Sequence, residues 1–184
     1  MLDLSSIDKS WTLFLDRDGV INHEKRESYI FNVDEFTFYD GVLDAMKIFH
    51  ERFNLIVLVT NQRGIGKGLM TESDLHSIHT HMLAHIQQAG GHIERIYFAP
   101  DFDKESFNRK PNPGMAHRAK ADFPHIDFTK SIMVGNKPSD MLFGRNAGMH
   151  TVYLATTNPE TPYPHVDIDA RYNTLLDFAQ ALTH

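Results

Sequence analysis

The chain has 184 residues, 41% hydrophobic and 23% charged, with no cysteine and a formal net charge of −6; the length suits one domain, 1–184, and the composition excludes disordered, fibrous and disulfide-stapled classes. No apolar run approaches the ~20 residues of a bilayer span, and residues 1–10 carry Asp3 and Asp8 where a secretory leader is basic and then apolar, so a cytoplasmic chain is expected. The negative charge and scattered Lys and Arg exclude a general polyanion binder, whose affinity comes from clustered cations; any anion must be held at a local site.

Short apolar runs alternate with amphipathic stretches. Residues 11–15 read as a first strand, which ends in two carboxylates, Asp16 and Asp18, with Gly19 following at once. A carboxylate can attack phosphorus, and a second one nearby can protonate the leaving oxygen and later activate water. A solvated acidic turn is the plain alternative. A helix is expected over 41–52, then a strand over 54–60. In that strand Leu55, Ile56, Val57, Leu58 and Val59 are apolar on both faces, as a central parallel strand requires. It runs into Thr60, Asn61 and a loop with Gly64, Gly66 and Gly68, where a hydroxyl and backbone N–H groups can hold phosphoryl oxygens; the P-loop order is absent.

Leu75, Ile78, Met82 and Ile86 recur at spacings of three and four, which predicts a helix over 71–88 opened by a Thr71–Asp74 capping box and closed by Gly90 and Gly91. His76, His79, His81 and His85 also fall on it. His81 and His85 have the spacing of a metal pair, but the adjacent glutamate of a zinc-protease helix is missing, and the four are read as an exposed polar face. After a strand over 93–98, Arg109 and Lys110 precede Pro111 and Pro113 at the start of a helix over 113–121. A lysine there can act as a point charge on a transferring phosphoryl group, and an arginine can grip a second oxyanion. A strand over 131–134 leads through Gly135, Asn136 and Lys137 into a helix over 138–147 that carries Ser139 and Asp140. Such oxygens suit Mg²⁺, although Asn136 and Ser139 suit helix capping equally well. A strand over 151–154 and a helix over 174–182 complete the chain. The alternation predicts an α/β fold with a parallel sheet, whose chemistry lies beyond the carboxyl ends of the strands, where these four motifs fall in order.

With residues 14–22, 59–68, 109–115 and 134–141 in that order, the chain resembles the haloacid-dehalogenase superfamily of phosphohydrolases. Within it, the likeness is to a small bacterial branch acting on histidinol phosphate or D-glycero-D-manno-heptose 1,7-bisphosphate. It extends over about 13–154, and residues 33–46 favour the heptose type. The resemblance implies a Rossmann-like parallel sheet flanked by helices, with no large cap domain and with access shaped by loops 22–31 and 100–108. It also implies a magnesium-dependent phosphomonoesterase working through an aspartyl-phosphate. Asp16 would be the nucleophile and a magnesium ligand, and Asp18 the acid/base with its carbonyl on the metal. Thr60 and the Asn61 backbone would hold the phosphoryl group, Lys110 neutralise it, and Arg109 orient the substrate, with the metal site completed from position 136 and Asp140. The partner would be a small phosphorylated metabolite, without nucleic acid or membrane, and a monomer is favoured.

Two departures from the family pattern stand out. Relatives usually carry a cysteine and histidine zinc loop before the Arg-Lys pair, whereas residues 99–107 are short and lack cysteine, so no structural zinc is expected. Position 136, an aspartate in the family, is Asn136, which removes one carboxylate of attraction for the metal. Three other readings stand beside the sugar phosphatase: a histidinol-phosphate or other small-molecule phosphatase, a degenerate member that binds a phosphorylated ligand without turnover, and, less suited by charge, a nucleic-acid 3′-phosphatase.

Overall fold

The computed structural model describes residues 2–183. Its six strands are β1 (Thr12–Leu15), β2 (Leu55–Asn61), β3 (Arg95–Ala99), β4 (Ser131–Gly135), β5 (His150–Leu154) and β6 (Ala170–Tyr172). They form one sheet in the order β3-β2-β1-β4-β5-β6, with every neighbouring pair parallel. The helices are α1 (Val42–Arg52), α2 (Arg63–Gly66), α3 (Glu72–Gln88), α4 (Gly114–Asp122), α5 (Pro138–Ala147) and α6 (Leu175–Ala181). The chain steps outward from β1 to β2 and β3, then crosses back to β4 on the other side of β1. That reversal opens a crevice beyond the carboxyl ends of β1 and β4, which is where open α/β sheets bind their ligands.

Side chains alternate across the pleat, so each central strand feeds two cores. Leu13 and Leu15 of β1, with Ile56 and Leu58 of β2, join the cluster that includes Met46 and Phe49 of α1, Ile78 and Met82 of α3 and Phe178 of α6. Phe14, Val57 and Val59 face the other way, onto Met115 and Ala119 of α4 and Phe143 of α5. The expected fold is therefore present, with no cap over the strand ends beyond the loops between β1 and α1 and between β3 and α4. The capping box of α3 forms as expected, Asp74 N donating to Thr71 Oγ1 and Thr71 N to Asp74 Oδ2. The short helix α2, strand β6 and three 3₁₀ turns were not expected from the sequence. Among the described residues, no helix is long and apolar enough to cross a membrane.

Candidate active site

The first motif leaves β1 with Asp16 N bonded to Val134 O of β4 at 3.0 Å, which ties the two strand ends together. A tight turn follows, Ile21 N donating to Arg17 O at 2.8 Å and Gly19 N to Asn22 O at 2.8 Å. Gly19 is required twice over: its φ is +86°, and a Cβ there would lie 2.0 Å from Asn136 Nδ2. The β1 and β4 motifs thus touch through a glycine.

Asp16 is buried, and its Oδ1 accepts from Lys110 Nζ at 2.8 Å; the same ammonium reaches Asp140 Oδ1 at 2.7 Å. Burial pushes the Asp16 carboxyl above its ordinary pKa, opposed by Lys110 and reinforced by the nearby Asp140 and Asp18. Lys110 is held charged: burial alone would lower it, but the two carboxylates outweigh that. The Asn61 side chain places Lys110, its Oδ1 accepting from Lys110 N at 3.0 Å and its Nδ2 donating to Lys110 O at 3.1 Å.

Asp18 accepts from three side chains. Arg17 Nη2 donates to Oδ1 at 2.8 Å and to Oδ2 at 3.0 Å, Arg17 Nε to Oδ1 at 3.2 Å, Asn22 Nδ2 to Oδ1 at 2.9 Å and Gln62 Nε2 to Oδ2 at 3.0 Å. Burial would raise the Asp18 pKa, but Arg17 and these hydrogen bonds hold it below the ordinary value. The carboxylate is therefore pre-oriented. Gln62 Nε2 also donates to the buried Thr60 Oγ1 at 2.9 Å, joining the β2 motif to Asp18.

Asn136 is fully buried, with Nδ2 donating to Thr157 Oγ1 at 2.5 Å and Oδ1 left without a protein partner. Asp140 is fully engaged. Besides Lys110 on Oδ1, its Oδ2 accepts from the N–H groups of Asn136 at 3.1 Å and Lys137 at 3.0 Å. No cluster of three His, Asp or Glu side chains able to hold a metal is present among the described residues, so an ion here would rely on amide and backbone oxygens as well as on Asp16. The orphaned Asn136 Oδ1 and the carboxylate of Asp16 are hard oxygens of the kind Mg²⁺ takes, and with a backbone carbonyl of the β1 turn and waters they could hold such an ion.

A cavity of about 370 Å³ opens over this ground. Asp16, Asp18, Asn61, Arg109, Lys110 and Asp140 line it, while Thr60 and Asn136 are buried and do not. Loop 22–31 contributes Lys25 and Arg26 to its wall and α2 contributes Arg63, with Lys67 just beyond; Arg109 is anchored by Nη1 to Phe102 O at 2.8 Å, and its buried Nε has no protein partner. Lys25 is paired with Glu35 and Lys137 with Glu24, whereas Arg26, Arg63 and Lys67 have no ion-pair partner among the described residues.

Of the eight sequence-derived site residues, six line one cavity, and Thr60 and Asn136 lie buried outside its lining. Arg17, Gln62, Asn22 and Thr157, which orient them, were missed. The reading of the α3 histidines needs one correction: His76 and His85 are exposed and His81 is half-buried, but His79 is buried. Position 79 follows Leu75 by four and precedes Met82 by three, so it sits on the apolar stripe, and that spacing was the available signal.

A parallel sheet with paired aspartates after β1, a lysine between carboxylates and a polar turn after β4 defines a phosphohydrolase of the haloacid-dehalogenase type. The model of the polynucleotide kinase 3 phosphatase family matches residues 12–179, and the chain belongs to that family, making it a phosphoric monoester hydrolase. The D-glycero-alpha-D-manno-heptose-1,7-bisphosphate 7-phosphatase of Burkholderia mallei is 38% identical over 154 residues, 79% of this chain and 80% of that protein. The D-glycero-beta-D-manno-heptose-1,7-bisphosphate 7-phosphatase of Escherichia coli K12 is 36% identical over 179 residues, 92% of each chain. The D,D-heptose 1,7-bisphosphate phosphatase of B. bronchiseptica, solved with magnesium and phosphate, superposes with a TM-score of 0.85 at 26% identity, covering 94% of this chain and 98% of that one.

Proposed function

We propose that this phosphatase hydrolyses a sugar bisphosphate, D-glycero-D-manno-heptose 1,7-bisphosphate, with Mg²⁺ and through an aspartyl-phosphate on Asp16. The observation that carries this reading is the cavity itself, lined both by a buried carboxylate paired with Lys110 and by Arg26, Arg63 and Lys67, which have no ion-pair partner among the described residues. One phosphate fits at Lys110, and a second anionic group fits the remaining cations. The names of the relatives support the same substrate.

In this mechanism Asp18, a carboxylate in the free protein, takes the acidic proton of the incoming phosphate monoester; an Asp16 oxygen then forms a bond to phosphorus as the sugar oxygen leaves, and Asp18 passes that proton to the leaving oxygen. Asp18 then removes a proton from water, whose oxygen attacks phosphorus, releases inorganic phosphate and restores Asp16. Lys110, Thr60 and the Asn61 backbone neutralise and hold the phosphoryl oxygens, and Arg109 steers the substrate. Asp16, the Asp18 carbonyl and Asn136 would hold the magnesium, which supplies charge neutralisation on the phosphoryl oxygens. Asp140, expected beside the metal, has both oxygens engaged; its role in this reading is to hold Lys110 and the β4 turn.

Phosphate release from both anomers of the heptose bisphosphate and from histidinol phosphate, with Mg²⁺ saturating, tests the substrate. At least about tenfold higher kcat/KM on one heptose anomer is expected, since the second phosphate meets otherwise unpaired cations. Equal or better turnover of histidinol phosphate would refute the sugar assignment, and binding without turnover of any of them would support a degenerate member.

A further inference from the structure

We infer that His79, which the reaction above leaves unused, is a positioning residue: it anchors the Arg17 guanidinium so that Arg17 fixes the Asp18 carboxylate for proton transfer. The inference rests on the reading of Asp18 as the acid/base. Arg17 is fully buried between the two aspartates of the β1 motif, and its Nε and Nη2 hold Asp18 as described. A guanidinium is a rigid plane, so fixing Nη1 also fixes the direction of the edge that faces Asp18. The anchor comes from α3, where His79 Nε2 lies 3.2 Å from Arg17 Nη1.

Arginine can only donate, so Nε2 is the acceptor, the imidazole is neutral and its proton sits on Nδ1. Burial first, and the Arg17 cation second, push the His79 pKa down to about 3, which keeps the ring in this form at neutral pH. A packed core histidine would account for the burial alone. It would not account for an in-plane nitrogen serving as the acceptor for the third nitrogen of the group that clamps Asp18. Asn22 and Gln62 engage the Asp18 oxygens directly but do not restrain Arg17, a role that the contacts among described residues leave to His79.

The test uses the magnesium-loaded enzyme, with the heptose bisphosphate and p-nitrophenyl phosphate as substrates. The aryl leaving group departs with little need of a proton, so kcat/KM on it is less sensitive to the placement of the acid. In His79→Leu, kcat/KM on the sugar phosphate is expected to fall about tenfold and on the aryl phosphate less than about threefold; His79→Gln, which restores an acceptor, should return the sugar value to within about threefold of wild type. Equal losses on the two substrates, a glutamine variant as slow as the leucine variant, or no loss in either would overturn the proposal. Should the leucine variant not fold, nitrogen NMR of the wild-type imidazole decides: an unprotonated Nε2 at neutral pH supports it, and a proton on Nε2 overturns it. A wild type inactive on both substrates would refute the reaction itself, a failure separable from these.

Discussion

Asn136 is where the sequence differs from the aspartate that the family resemblance implies, and its surroundings determine what an amide can do there. Thr157 takes the Nδ2 hydrogen and leaves Oδ1 buried and unpartnered, so the amide is presented oxygen-first. It can serve as a ligand, but it carries no charge. Asn136→Asp should tighten Mg²⁺ binding by about tenfold, read by calorimetry, because a hard cation gains an anionic oxygen at an existing position; an unchanged affinity would argue against Asn136 as a ligand. Lys110 gives a second test at this scale. Among the described residues it alone bridges Asp16 and Asp140. Lys110→Met strands two buried carboxylates and should cost about 3–5 kcal/mol in denaturant unfolding without metal, besides abolishing turnover. A loss below about 1 kcal/mol would mean that the carboxylates find other compensation. None of the orienting residues was legible in the sequence, because a buried Arg17 or Gln62 makes sense only with partners brought from other strands.

At the scale of elements, what could be read depended on burial. Strands β1, β2 and β4 were plain because they are apolar on both faces, and α3 because its stripe and cap agree. Strand β6, Ala170–Tyr172, is three half-buried residues with no apolar run, and nothing local marks it. Its placement comes from contacts instead. The Arg145 guanidinium of α5 donates to both Asp169 oxygens, at 2.8 and 3.0 Å, and Asp169 Oδ2 accepts from Thr151 N of β5 at 2.9 Å, immediately before β6 begins. Burial would raise the Asp169 pKa, but Arg145 and Thr151 outweigh it and hold it below the ordinary value. A carboxylate lowered on folding contributes stability above its unfolded pKa and loses it as pH falls through the folded one. Asp169→Asn should therefore cost about 1–3 kcal/mol at neutral pH, with the gap to wild type closing below about pH 4. A gap constant with pH would show that the charge at 169 plays no part.

Across the whole molecule, the order of strands does what no single motif can. Because β1 sits between β2 and β4, the turns after these three strands meet at one crevice, and the loop after β3 delivers Lys110 into it. The β and α alternation and the four polar strand ends were enough to locate that crevice from the sequence. The cavity wall was not, since Arg26, Arg63 and Lys67 lie in loops or a four-residue helix whose path is set by packing. From the cysteine-free loop before Lys110, Arg109 reaches the cavity, its guanidinium tied to Phe102 O.

The central claim is that phosphorus passes through Asp16. The most direct measurement is phosphate release from the heptose bisphosphate at saturating Mg²⁺ by wild type and by Asp16→Asn, an isosteric change that removes the nucleophile. Turnover by the wild type and a loss on the order of 10³-fold or more in the variant are expected. A variant that releases phosphate as fast as the wild type would contradict the mechanism.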